Sequence, residues 1–141
     1  MKTKSLEKDL IKLKFKIFIF SIIFILVSCN KESDNNPNKA LSGKWDWMQS
    51  TGGFAGQTYT PQSTGETVAI EFDNDSIFRQ YINGNLDFET TYELKKVEGY
   101  SELFIFYKNE NSASIISTLE NNTLILLDYG VDGYERTYRK E

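Results

Sequence analysis

Residues 41–141 predict an all-β domain closed as an eight-stranded antiparallel up-and-down barrel, and three observations carry that prediction. Short runs rich in Val, Ile, Thr, Tyr and Phe recur, and no window of twelve or more residues shows a helical period. Between the runs stand Asn, Asp and Gly at hairpin spacing, the residues that tolerate positive φ or bond their own backbone. Strands joined in sequence by tight turns form a meander. A meander escapes its two open edges by closing, and eight is the smallest common closed number.

Ahead of the barrel the chain has a different character. Residues 1 to 16 carry Lys2, Lys4, Lys8, Lys12, Lys14 and Lys16 against only Glu7 and Asp9, and Ile17–Val27 then runs eleven residues without a charge. As a helix that run rises roughly 16 Å against a hydrocarbon core of about 30 Å, too short to span but suited to a signal-peptide core. It ends Leu26-Val27-Ser28-Cys29, and Cys29 is the only cysteine in the sequence. This arrangement resembles a bacterial lipobox, with an apolar residue three before the cysteine and a small one directly before it. The resemblance implies a lipoprotein signal peptide over residues 1–28 and a diacylglycerol thioether on Cys29, with a further acyl chain such as palmitate on its amino group. Several chains anchor stably where one is marginal.

Removal of the leader takes six lysines and two acids from totals of 16 and 20, leaving 10 and 18, so the mature side chains carry −8. An acidic domain is repelled by anionic lipid, which leaves the acyl chains on Cys29 as the link to the membrane. The same balance argues against a nucleic-acid groove. Residues 29–40 form the lipidated cysteine and a linker: Asn30 to Ala40 (NKESDNNPNKA) is polar to its last residue and reads as a disordered tether that reaches on the order of 35 Å when extended. Glu32 and Asp34, soon after the cysteine, resemble the acidic export signals of Bacteroidetes-type surface lipoproteins; they read equally as ordinary linker charges. The expected location is the outer membrane, on its periplasmic face or at the cell surface.

The barrel strands are expected near Lys44–Gln49, Thr67–Phe72, Ser76–Ile82, Leu86–Lys95, Glu102–Lys108, Ala113–Glu120, Thr123–Asp128 and Tyr134–Lys140. Alternation places Val68, Ile70 and Phe72 inward. In the fourth strand Leu86, Phe88, Thr90, Tyr92 and Leu94 share one face, with Asp87, Glu89, Thr91 and Glu93 on the other. Strands five to seven (LFIFY, SIISTL, LILL) are apolar on both faces, which means either a face covered by the long loop between the first two strands or an exposed one used for contact. Ser50–Glu66 is a 17-residue loop with Gly52, Gly53, Gly56, Gly65, Phe54 and Tyr59. Its glycines precede no helix and no Walker-type Lys-Ser/Thr pair, so they do not cradle phosphate. Loops of that length inside a compact domain are usually functional or mobile.

Gly43-Lys44-Trp45, followed by a long loop and seven hairpin-linked strands, resembles the start of a lipocalin, and more narrowly the small lipocalin-like domains of Bacteroidetes-type lipoproteins. The resemblance implies that Trp45 packs across the closed end of the barrel behind Gly43, beneath an arginine of the last strand, Arg136 or Arg139, in a cation–π contact. The family's Thr-Asp-Tyr before the seventh strand is absent, and Asp128-Tyr129 follows that strand instead.

Enzymatic chemistry finds little to build on. The sequence has no histidine, which removes the usual general base and metal ligand, and the one thiol is the acylation site. Glu66, Glu71, Asp87 and Glu89 are the carboxylates available for acid–base work, but strand carboxylates between apolar residues ordinarily face solvent. Asp73-Asn74-Asp75 and Asp128 with Asp132 lack calcium-loop spacing and are explained by turns. No catalytic residue, metal site, cofactor or nucleic-acid partner is expected. Two functions stand. In the first the barrel binds a small apolar or amphipathic ligand, with Phe72, Phe88 and Tyr92 as wall, Phe54 and Tyr59 as lid, and Arg79, if inward, facing an anionic head group. In the second a filled barrel presents residues 50–66 to a protein or glycan, the protein partner being unknown.

Overall fold

The computed structural model describes residues 36–108, 110 and 112–141. The leader and Cys29 lie outside the described residues. The described residues form one compact unit, and no helix among them is long and apolar enough to cross a membrane.

The chain enters through helix α1 (Pro37–Leu41), where a disordered linker is expected. Asn36 caps it by accepting from the Asn38 amide, and Pro37 fills the first helical turn, where no amide donor is needed. Then follow β1 (Gly43–Gly52), β2 (Gln57–Tyr59), a single helical turn α2 (Pro61–Thr64), β3 (Val68–Phe72), β4 (Ile77–Ile82), β5 (Asn85–Lys96), β6 (Leu103–Tyr107), β7 (Ala113–Glu120), β8 (Thr123–Asp128) and β9 (Tyr134–Lys140). All neighbours pair antiparallel, and β1 pairs with β9 to close an eight-stranded up-and-down barrel.

Strand β2 is the extra one. The ten-residue β1 gives its first half to β3 and its second half, Ser50–Gly52, to β2. The long loop expected over residues 50–66 is therefore a hairpin followed by a capped turn, in which the Thr60 and Ser63 side chains bond each other's backbone amides. Two tight turns have the backbone their residues favour: Asn83-Gly84 between β4 and β5, and Asn121-Asn122 between β7 and β8, all with positive φ.

The inward faces of the strands meet in one core: Trp45 and Trp47, Ile70 and Phe72, Phe78, Tyr92, Ile105, Ile116, Leu124 and Leu126, and Tyr138, with Leu41 of α1 beneath them. Val68, Ile70 and Phe72 point inward as alternation requires. Leu86 does not share the face of Phe88: it is 56 % exposed. The pairing of β4 with β5 shifts register between Gln80 and Tyr81, so the first residues of β5 are out of step with the rest.

The doubly apolar strands β6 to β8 receive their cover from two short loops, not from residues 50–66. Phe104, on the outer face, is only 1 % exposed. The rings of Tyr100 and Tyr129 lie 5.0 and 5.4 Å from it and Phe106 stacks alongside.

Candidate functional site

The two ends of the barrel differ. At the end where α1 enters, the strands deliver large apolar groups and the space is filled. Trp45 is 2 % exposed, and its Nε1 donates to the Leu41 carbonyl at 2.8 Å. The cation over its ring is Lys140, 4.9 Å from the centroid, and not either of the arginines that the resemblance implies. Lys140 Nζ also donates to the Ala40 carbonyl at 3.1 Å, so strand β9 and helix α1 are tied together over the tryptophan. Gly43 has φ +125, and a Cβ there would come within 2.8 Å of Lys140 Cε. Its backbone conformation and its missing side chain both admit the lysine.

At the opposite end the same strands deliver polar groups, and the barrel is not filled. A cavity of about 490 Å³ lies between Ile70, Phe78, Phe88 and Leu126 as apolar surface and Gln80, Asp87, Tyr107, Glu110, Ser112, Ser114, Arg136 and Tyr138 as polar surface. Period-two alternation explains the arrangement. The face that carries Leu103 and Ile105 on β6 reaches Tyr107 at the mouth. On β7 the face of Ile116 reaches Ser114, and on β9 the face of Lys140 and Tyr138 reaches Arg136.

Arg136 is paired with the Asp128 carboxylate, which also accepts from the Tyr134 amide at 3.1 Å. Asp87 accepts from Gln80 Nε2 at 3.0 Å and Glu110 from the Ser112 hydroxyl at 2.9 Å. No cation pairs with Asp87 or Glu110 among the described residues. Burial raises both phenols above their ordinary value. The Tyr107 hydroxyl is pushed up to about 12, with Ser114 and Arg136 opposing, and that of Tyr138 is raised further from its ordinary value. At neutral pH the site therefore offers two uncharged phenols, one internally paired arginine and two carboxylates.

Of the residues expected to touch a ligand, only Phe88 lines this cavity. Phe72 and Tyr92 are packed into the closed half, edge to face at 5.1 Å, and Tyr92 Oη donates to the Asp73 carbonyl at 3.2 Å. Phe54 is 99 % exposed at the tip of the β1–β2 hairpin. Tyr59 sits on β2 against Tyr134, with ring centroids 6.2 Å apart.

Arg79 points outward. Its Nε bonds Glu89 at 2.7 Å, and its Nη1 reaches Asp73 at 3.1 Å and Glu71 at 3.8 Å, so no cavity anion is within its role. Glu71 also accepts from Tyr81 Oη at 2.7 Å. Desolvation pushes the Asp73 carboxyl up, but the Ile77 and Asp75 amides and Arg79 outweigh it and hold the group below the usual carboxylate range. Arg139 is exposed on the outer face, opposite Asp46 and Thr123 in the register. Arg136, expected at the closed end, is a wall of the cavity.

Comparison with known protein families, curated proteins and solved structures finds no match for this chain.

Proposed function

We propose that this chain is a lipid-anchored lipoprotein of the outer membrane whose barrel binds one small amphipathic or apolar molecule. The observation that carries the reading is the cavity of about 490 Å³ at one end of an otherwise filled barrel, within the range of small-molecule sites and divided between an apolar and a polar surface. The likeness of Gly43-Lys44-Trp45 to the lipocalin start supports the same reading, as does the packing of Trp45 across the closed end. The leader that resembles a lipobox supports the anchor on Cys29. The chain joins the barrel at the closed end, which leaves the mouth at the far end from the point where a tether would attach.

Native mass spectrometry of residues 35–141, mixed with an envelope lipid extract, tests the reading. A discrete adduct of a few hundred daltons is expected, lost on mild activation and absent in a folded Phe88→Asp variant. A bare protein mass before and after mixing overturns it. That outcome favours the second reading, an interaction module, for which the one specific observation is the full exposure of Phe54 at the tip of the β1–β2 hairpin.

A further inference from the structure

Resting on that reading, we infer that the cavity selects an amphiphile with a cationic amine head and discriminates against carboxylate and phosphate heads. Three observations combine. The first is that the only cation in the cavity wall among the described residues, Arg136, is already paired with Asp128. An entering anion has to break that pair, leaving Asp128 without its partner.

The second is the pair of carboxylates at the mouth. Asp87, at the start of β5, and Glu110, in the turn after the neighbouring strand β6, both line the cavity, and neither has a cationic partner among the described residues. Plain alternation places Asp87 on the outer face; the register shift in the β4–β5 pairing leaves it without a β4 partner, and it lines the cavity mouth while exposed. Both carboxylates are exposed at the mouth, beside the apolar surface, where they attract an ammonium group and repel an anion.

The third shows that the cavity is prepared for a hydrogen-bonding occupant. Tyr138 is only 5 % exposed, yet its hydroxyl has no hydrogen-bond partner among the described residues. No buried side-chain polar atom among those residues is left without a partner, so this oxygen is not sealed in the core but opens on the cavity that Tyr138 lines. A phenol in that position offers both a donor and an acceptor to whatever enters. The apolar stem of the ligand then lies on Ile70, Phe78, Phe88 and Leu126, with its ammonium between Asp87 and Glu110.

The test compares three probes with the same straight chain, decylamine, decanol and decanoate, by calorimetric titration into residues 35–141 at neutral pH. Decylamine is expected to bind about tenfold tighter than decanol, and decanoate weakest. The amine's advantage should shrink as salt is raised and fall to near unity in the double variant Asp87→Asn, Glu110→Gln, whose near-isosteric side chains preserve the packing. Decanoate binding as tightly as decylamine overturns the inference and leaves the cavity reading intact, since Arg136 has then exchanged Asp128 for the anion. An amine preference that persists undiminished in the double variant also overturns it. Failure of all three probes to bind removes the cavity reading and the inference with it.

Discussion

The closed and open ends of this barrel are built by the same strands, yet one is a packed core and the other a polar cavity. At the closed end each inward position holds a group that fits its neighbours: Trp45 on Leu41, Phe72 on Tyr92 and Phe78, and Lys140 over the tryptophan. At the open end the inward positions hold Gln80, Tyr107, Ser114 and Arg136, side chains that pair with one another or face the cavity. The difference teaches that stability and binding are divided along the barrel axis. An eight-stranded barrel is only just wide enough to be filled by side chains or to hold one small ligand, and this one does each at a different end.

The largest effect that separates the ends is expected from truncating one aromatic at each. Trp45→Ala removes a ring that is 2 % exposed and leaves a cavity beneath α1, at a cost of about 3–5 kcal/mol. The Leu41 carbonyl loses its donor as well. Phe88→Ala enlarges a space that is already open on one side of the ring, and the expected cost is about 1–2 kcal/mol because fewer contacts are lost. Urea unfolding of the two variants measures both, and equal losses would erase the division.

The closed end was the legible one. Gly43 and Trp45 stand out as a motif, the Asn-Gly and Asn-Asn turns name themselves, and alternation on β3 points three apolar residues the right way. The lysine over Trp45 could have been found by counting the inward parity of β9: positions 136, 138 and 140 share a face, and only the last reaches the closed end. The cavity was harder to read because register shifts interrupt the parity. The shift at Gln80/Tyr81 leaves Asp87 at the cavity mouth and Leu86 out, and others occur at Trp47/Gln49 and Ile116/Thr118. Sequence carries no strong signal for a bulge. Strand β2 escaped notice for a different reason: its three residues are all exposed, so nothing alternates.

A smaller effect tests the open end through pH. The fold keeps the Tyr107 hydroxyl protonated up to about 12, whereas in an unfolded chain it ionises near 10. A group whose value is raised by folding contributes its full stability below the unfolded value and loses it as pH climbs through the folded one. Stability should therefore hold from neutrality to about pH 10 and fall toward about pH 12, with on the order of 2 kcal/mol of that loss from Tyr107. Tyr138 contributes in the same direction. Urea midpoints measured across that range should show a shallower fall in Tyr107→Phe. An unchanged slope in the variant would mean that the phenol at the mouth is not held neutral by the fold.

The smallest effect sharpens the comparison most, because it sets two buried tyrosines of equal exposure against each other. Tyr92 and Tyr138 are each 5 % exposed. The Tyr92 hydroxyl donates to the Asp73 carbonyl at 3.2 Å, within the turn that joins β3 to β4. Tyr92→Phe deletes that bond and leaves the Asp73 carbonyl only the Ser76 amide at 3.4 Å, a loss of about 0.5–1.5 kcal/mol. The Tyr138 hydroxyl gives up no protein partner among the described residues, so Tyr138→Phe is expected to change stability by less than about 0.5 kcal/mol of either sign. Its consequence belongs to binding instead: decanol, whose hydroxyl can exchange a hydrogen bond with that phenol, should bind more weakly to Tyr138→Phe and with unchanged affinity to Tyr92→Phe. If the two variants lose stability equally, Tyr138 is a structural residue like Tyr92. In that case the polar end of the barrel is a second core and not a site.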